Sequence, residues 1–465
     1  MYNKKIIISL GVLIALCVLP ACGKKDAGCK LDSECPDGQI CRNMKCEAAP
    51  AANDEQKDQA AQDNKDAAKP ENTDDAKPEN ADEAKNDEAK PEAKPTTTQQ
   101  IDIASIGDNK TIKLEDLGLD IDYILTDTIF LRENTKLEIA PGVTIDMQSS
   151  SAGFEINDDA ALIVKGTAES PVIFKSTNSS VWSGMKFSSK NKDNALNYLQ
   201  ILNADGEESV IGLIYESRVA MDHVTLDGSA NDGIRVSGDA KLTKFTNNTI
   251  KNCKGFPLVL DSYAHLGMIG DGNQYENNNK QFIRLNPYTF DNVQETVIKK
   301  QPLPILLADG INVNGESGVL TIEPGVEFVF EHEKEAVIGD SIQLKLEGTA
   351  ENPVIMRGMT DEPNFWRGLR IDTSRPSSIS GLTLSQTGNN EEPSLRIRGD
   401  SNVTLSNIAF KSTEHRCLEI EADAKITNKG GLTFEKCGKG NIFDNRIDGD
   451  DDKKVLADLP VTAAE

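Results

Sequence analysis

Residues 137–145 read LEIAPGVTI, and residues 320–328 read LTIEPGVEF. Each copy is followed by a second signature, KGTAESPVIF at 165–174 and EGTAENPVIM at 347–356, and then by WSG from Trp182 or WRG from Trp366. Pro141 and Pro324 lie 183 residues apart, Gly166 and Gly348 lie 182 apart, and the two tryptophans 184. Three landmarks held in order at a near-constant offset make an internal repeat, which sets the architecture before local propensity is consulted.

A finer period runs inside each long repeat. In the first, Met185-Lys-Phe187, Leu213-Ile-Tyr215, Ile234-Arg-Val236 and Leu258-Val-Leu260 alternate apolar with other residues, and Leu199-Gln-Ile201, Val224-Thr-Leu226 and Thr249-Ile250 interleave with them. In the second, Leu369-Arg-Ile371, Leu395-Arg-Ile397 and Leu418-Glu-Ile420 interleave with Leu382-Thr-Leu384, Ile408-Ala-Phe410 and Leu432-Thr-Phe434. Period-two alternation predicts strands with one buried face. Recurrence every two dozen residues, with at least two strand families per turn, predicts a coil stacked on its own copies. Helical patterning is absent outside the N-terminus, and few connections are as short as a hairpin requires. The expected fold is all-β: a parallel β-solenoid of roughly a dozen coils, about 60 Å long at 4.8 Å per coil.

On these motifs the chain resembles the right-handed parallel β-helix, or pectin-lyase-like, group. In particular it resembles bacterial envelope lipoproteins that carry L-x-I-x-P-G-V, G-T-A-x-x-P-V-x-F and W-x-G in that order. The resemblance spans roughly residues 137–443. Gly238 and Gly399, at equivalent places, are offset by 161 rather than 183. The second run is therefore expected to be one coil shorter, which a stack of nearest-neighbour contacts tolerates. Residues 101–300 are assigned to the first half of the β-helix and 301–445 to the second. Residues 261–319 are the least regular stretch, and continuity of the axis there is left open.

The formal net charge of −25 argues against a nucleic-acid partner, whose phosphates call for clustered Lys and Arg. Residues 1–21 read as an export signal: Lys4 and Lys5, an apolar run over 6–19, then small residues. Leu19-Pro20-Ala21-Cys22 resembles the lipobox of bacterial lipoproteins. That implies cleavage before Cys22 and attachment of diacylglycerol and a further acyl chain such as palmitate, enough apolar surface for stable membrane anchoring. With Gly23 next, the analogy places the protein at the outer membrane of a Gram-negative cell envelope.

Residues 22–46 hold four close cysteines, Cys29, Cys35, Cys41 and Cys46, expected as two disulfides of open connectivity in an oxidising compartment. The segment is similar to short cysteine-rich motifs of some Gram-negative surface proteins. Residues 47–100 contain no Ile, Leu, Val or aromatic residue and are expected to be a disordered, acidic tether. Residues 446–465 are read as a loose acidic tail. Asp444, Asp448 and Gly449 faintly suggest a calcium loop, but Arg446 stands where a ligand belongs, so no metal and no cofactor is expected.

For chemistry, a lyase of this fold needs carboxylates around a metal and a base, and a hydrolase needs carboxylates gathered on one face. The nearest approach is Asp222, His223, Asp227 and Asp232, with outward His223 expected beside outward Arg235. These read first as solvated turn residues, so no catalytic residue is assigned and this set stands as the alternative. His265, His332 and His415 read as surface, Trp182 and Trp366 as coil-filling side chains, and Cys253, Cys417 and Cys437 as buried thiols, with register speaking against a Cys417–Cys437 bridge. The expected function is a non-enzymatic binding or structural surface for a polysaccharide or envelope protein, anchored to the membrane. The alternative is a polysaccharide lyase or glycoside hydrolase.

Overall fold

The computed structural model describes residues 39–42, 45–48, 94–102, 106–178, 181–286, 295–314, 317–339 and 341–462. The expected export signal, Cys22, Cys29 and Cys35 lie outside them, as do the sulfurs of Cys41 and Cys46 and most of the low-complexity segment. Contacts divide the chain into Met1–Ala89 and Lys90–Glu465. In the first unit the described backbone is an antiparallel hairpin, Gln39–Arg42 with Lys45–Ala48, in which Cys41 is the register partner of Cys46.

The second unit is a right-handed parallel β-helix with three faces per coil. The first face stacks six strands from Thr111–Leu114 to Lys241–Thr246, and the second stacks eight from Gln99–Gln100 to Gln274–Glu276. Gln99–Gln100 lies inside the segment expected to be linker, and Lys94 and Thr98 are already hydrogen-bonded to the backbone at Asp116 and Ile121. The third face runs through thirteen strands, from Thr128–Leu131 to Thr433–Cys437, a span of about 58 Å. Ile283 pairs with Ile305 and Ile305 with Phe328 across the irregular stretch, so one axis joins the two halves.

Inward residues of equivalent strands sit directly over one another. Ile139, Val164, Leu196, Met221 and Phe245 form one such column, and Ile145, Phe174, Ile201, Leu226, Ile250 and Tyr275 another. All are buried, at about 1.5–3 kcal/mol for each fully buried large side chain. The glycine of each G-T-A motif marks a close approach of coils: a Cβ on Gly166 would meet the Tyr198 carbonyl oxygen at 2.4 Å, and one on Gly348 the Gly381 carbonyl oxygen at 2.1 Å. Both tryptophans are fully buried. The Trp182 ring N–H donates to the Leu202 carbonyl and the Trp366 ring N–H to that of Ser385.

The repeat and the faces are out of phase. In the first copy, LEI lies on the first face and VTI on the second; in the second copy, VEF lies on the third. By order around the coil, the second repeat is turned by one face. Four strands, from Gly153–Ile156 to Asp232–Val236, precede Gly238, whereas three, from Glu335–Ile338 to Leu395–Ile397, precede Gly399. The second run is thus one coil shorter.

Several expectations are corrected. The third-face strand near residue 213 is Ser209–Leu213, with Ile211 and Leu213 inward and Gly212 outward, because Ile211 pairs with Met185 and Leu213 with Phe187. Tyr215 follows it, 71% exposed, at a corner with φ 58°. Cys417 and Cys437 form a disulfide with Cα atoms 5.5 Å apart. Cys437 stacks on Thr413, and the chain turns between Thr413 and Cys417, so the bridge crosses the corner that strand register alone does not see. Cys253 is a buried free thiol, pushed up to about 12 by burial. The tail is tied down: Val455–Leu456 pairs antiparallel with Ile442–Asp444, Asn428 donates to the Leu459 carbonyl, and Thr462 bonds Asn428. It covers exposed strand edge at that end of the stack.

Candidate functional site

The residues singled out for chemistry are set on different faces. Strand Arg218–Asp222 ends at a corner where His223 takes a left-handed conformation, φ 57°, as Tyr198 and Asn247 do one coil before and after. His223 stacks flat on Tyr198 at 4.3 Å, with Nδ1 3.2 Å from Asp222. Asp222 accepts from Lys244 (2.9 Å), Thr246 (2.6 Å) and Asn247 (3.1 Å). Burial alone would raise its pKa, but these donors outweigh burial and hold the carboxyl well below the usual carboxylate range. Asp227 lies on the second face, paired with Lys251 and Asn252. Arg235 lies on the third face, with Glu208 and Asp261. His223 and Arg235 are therefore not neighbours, and the expected set does not converge. Asp232 is pushed up, chiefly by burial, while its carboxylate accepts the Phe256 N–H, a corner contact.

The other candidates resolve as structure. His265, 1% exposed, and His415 are buried, which corrects their assignment to the surface; burial holds both below the ordinary histidine value. His332 is exposed. Asp444 is engaged by its own neighbour Arg446 through two side-chain bonds of 2.8 and 2.7 Å. Among the described residues no group of three His, Cys, Asp or Glu is placed to hold a metal ion. Arg396 pairs with Glu392 (2.7 Å) and Glu419 (3.4 Å), and Arg416 lies over the Phe443 ring at 3.6 Å. That surface compensates its own charges.

What does form a concavity is the outer side of the third face in the first five coils. Register puts Phe130, Glu155, Lys186, Gly212 and Arg235 in one outward row. Around it lies a groove of about 580 Å³, within the usual range for ligand sites. Gly212 opens it: between the lysine and arginine rungs there is no side chain, and a Cβ there meets nothing closer than the Ser209 hydroxyl at 3.7 Å. The walls carry hydroxyls from Thr128, Ser151, Ser183, Ser209 and Ser237 and carboxylates from Glu207 and Glu208. Arg235 is held 3.5 Å from Glu208 and 3.6 Å from buried Asp261, whereas Lys186 makes no ion pair among the described residues. The next outward residue, Val259, is 1% exposed, so the row closes there. Sequence reading missed the groove because the strand was placed two residues late, which hid the outward glycine.

Residues 109–225 match a family described as a pectate-lyase like beta helix domain. That stretch carries most of the groove. A structural neighbour is endopolygalacturonase I from Stereum purpureum complexed with two galacturonate, at 13% identity over 75% of this chain and 98% of that chain, with a TM-score of 0.21. A likeness that loose carries no functional weight. No curated protein matches the chain.

Proposed function

We propose that this chain is a lipid-anchored envelope protein whose β-helix binds a glycan in the third-face groove without turning it over. The observation that carries the reading is the row Glu155–Lys186–Gly212–Arg235, in which a missing side chain opens a hydroxyl-lined trough flanked by both signs of charge. Sugars offer dense hydroxyls and suit such a site, where direct and water-mediated hydrogen bonds share the work. The anchor rests on the lipobox-like sequence ending at Cys22 and on the low-complexity segment after it.

The test is a glycan array with the full mature chain and its Gly212→Trp variant. Saturable binding that Gly212→Trp abolishes, with an unchanged thermal midpoint, is expected; binding indifferent to that change would place the ligand elsewhere. Cys22→Ala should end lipid labelling and release the protein from membranes.

Glu155 and Glu208 both line the groove, but the residue in register with Glu155 two coils on is Gly212, and Glu208 lies four residues before it, so the ladder does not set the two carboxylates at the roughly 6.5–9.5 Å of an inverting glycosidase. Turnover of a bound glycan that Glu155→Gln or Glu208→Gln abolishes would replace the binding-only reading.

A further inference from the structure

One strand step before Glu155 of the groove, the outward row carries an aromatic ring. Phe130 is 44% exposed between fully buried Ile129 and Leu131, and its register partner is Glu155. Its ring lies 5.4 Å from the Arg132 guanidinium. One exposed aromatic is ordinary on a protein surface. This one stands just outside the lining of a hydroxyl-lined trough, one strand step from Glu155 and in the same outward row as the residues that form its floor. An aromatic face is electron-rich and apolar, so it accepts the C–H-bearing face of a sugar ring. From Phe130 to Arg235 is four strand steps, about 19 Å, longer than a single ring.

Charge narrows the ligand further. Glu155, Glu207 and Glu208 give the groove three carboxylates. Of its two cations, Arg235 is engaged by Glu208 and Asp261, which leaves Lys186 as the one without an ion pair among the described residues. The lining of the trough thus carries three carboxylates against two cations, with Arg132 beside Phe130 outside that lining, on a chain of net charge −25. A polyanionic glycan would enter against both fields, while an amine-bearing glycan would enter with them.

We propose that the groove takes an oligomer of amino sugars, with one ring stacked on Phe130 and ammonium groups against Glu155 and the neighbouring carboxylates. This rests on the glycan-binding reading above and specifies its ligand class.

The experiment is calorimetric titration of the full mature chain with a glucosamine oligomer, its N-acetylated counterpart and polygalacturonate. Wild type is compared with Phe130→Ala, Phe130→Tyr, Glu155→Gln and Gly212→Trp. Phe130 and Glu155 are surface residues, and circular dichroism verifies each fold. The glucosamine oligomer is expected to bind, and to weaken as salt rises. Phe130→Ala and Glu155→Gln should each cost about tenfold in affinity, and Phe130→Tyr should keep it. Acetylation should also cost at least about tenfold, because it removes the charge that the carboxylates meet. Equal or tighter binding of the acetylated oligomer or of polygalacturonate overturns the proposal, as does affinity unmoved by Phe130→Ala and Glu155→Gln. Failure of Gly212→Trp to abolish binding, or absence of binding to all three glycans, instead removes the groove reading beneath it.

Discussion

Asp222 does structural work at a corner of the coil. Lys244, Thr246 and Asn247, all from the next coil, donate to it and overcome the effect of burial, so its folded pKa lies below the unfolded one. Its contribution is then complete above the unfolded value, about 3.9, and is lost as pH falls through the folded value. Asp222→Asn should therefore lower stability by about 1–2 kcal/mol at pH 7, and the deficit should narrow at pH 3. Urea midpoints at the two pH values read this directly. Glycines separate by what surrounds them. Gly166→Ala or Gly348→Ala pushes a methyl into a backbone carbonyl of the adjoining coil and should cost about 1–3 kcal/mol, whereas Gly212→Ala faces open space and should leave the midpoint in place. His223 was legible as outward-facing, but its left-handed φ turns a corner, and no alternation pattern predicts which face follows a corner.

Among elements, the strand most open to change is the last one on the third face, Thr433–Cys437, whose Thr433, Glu435 and Lys436 are exposed. The Cys417–Cys437 bridge fastens it to the preceding coil, closing a loop with a sequence separation of 20. Replacing both cysteines with serine should lower stability by about 3 kcal/mol and speed proteolysis near residues 429–440. Limited digestion with and without reductant checks it. The strand triplets were readable from alternation because each buries alternate side chains in a column. The bridge was not, because it joins residues on either side of a turn. The same applies to the tail: residues 446–462 are polar enough to read as loose, yet backbone pairing with Ile442–Asp444 and bonds to Asn428 hold them.

At the scale of the molecule, the thirteen-strand third face makes the β-helix one body, although the sequence repeats twice. A version ending at residue 300 would leave the edge of strand Ile283–Leu285 without its partner Ile305–Leu307. It should self-associate at micromolar concentration, as unpaired parallel edges do, while the full β-helix stays monodisperse by sedimentation. The sequence by itself determined the coil: period-two alternation within strands and two-dozen-residue recurrence between them leave few arrangements other than a parallel stack, and the acidic composition set the sign of its field. Only the tertiary structure decided which side chains share a surface. Corners of a single coil separate His223 from Arg235, although only eleven residues lie between them. The same geometry aligns Phe130 with Arg235 across a hundred residues, because outward neighbours in a solenoid are set by stacking register and not by distance along the chain.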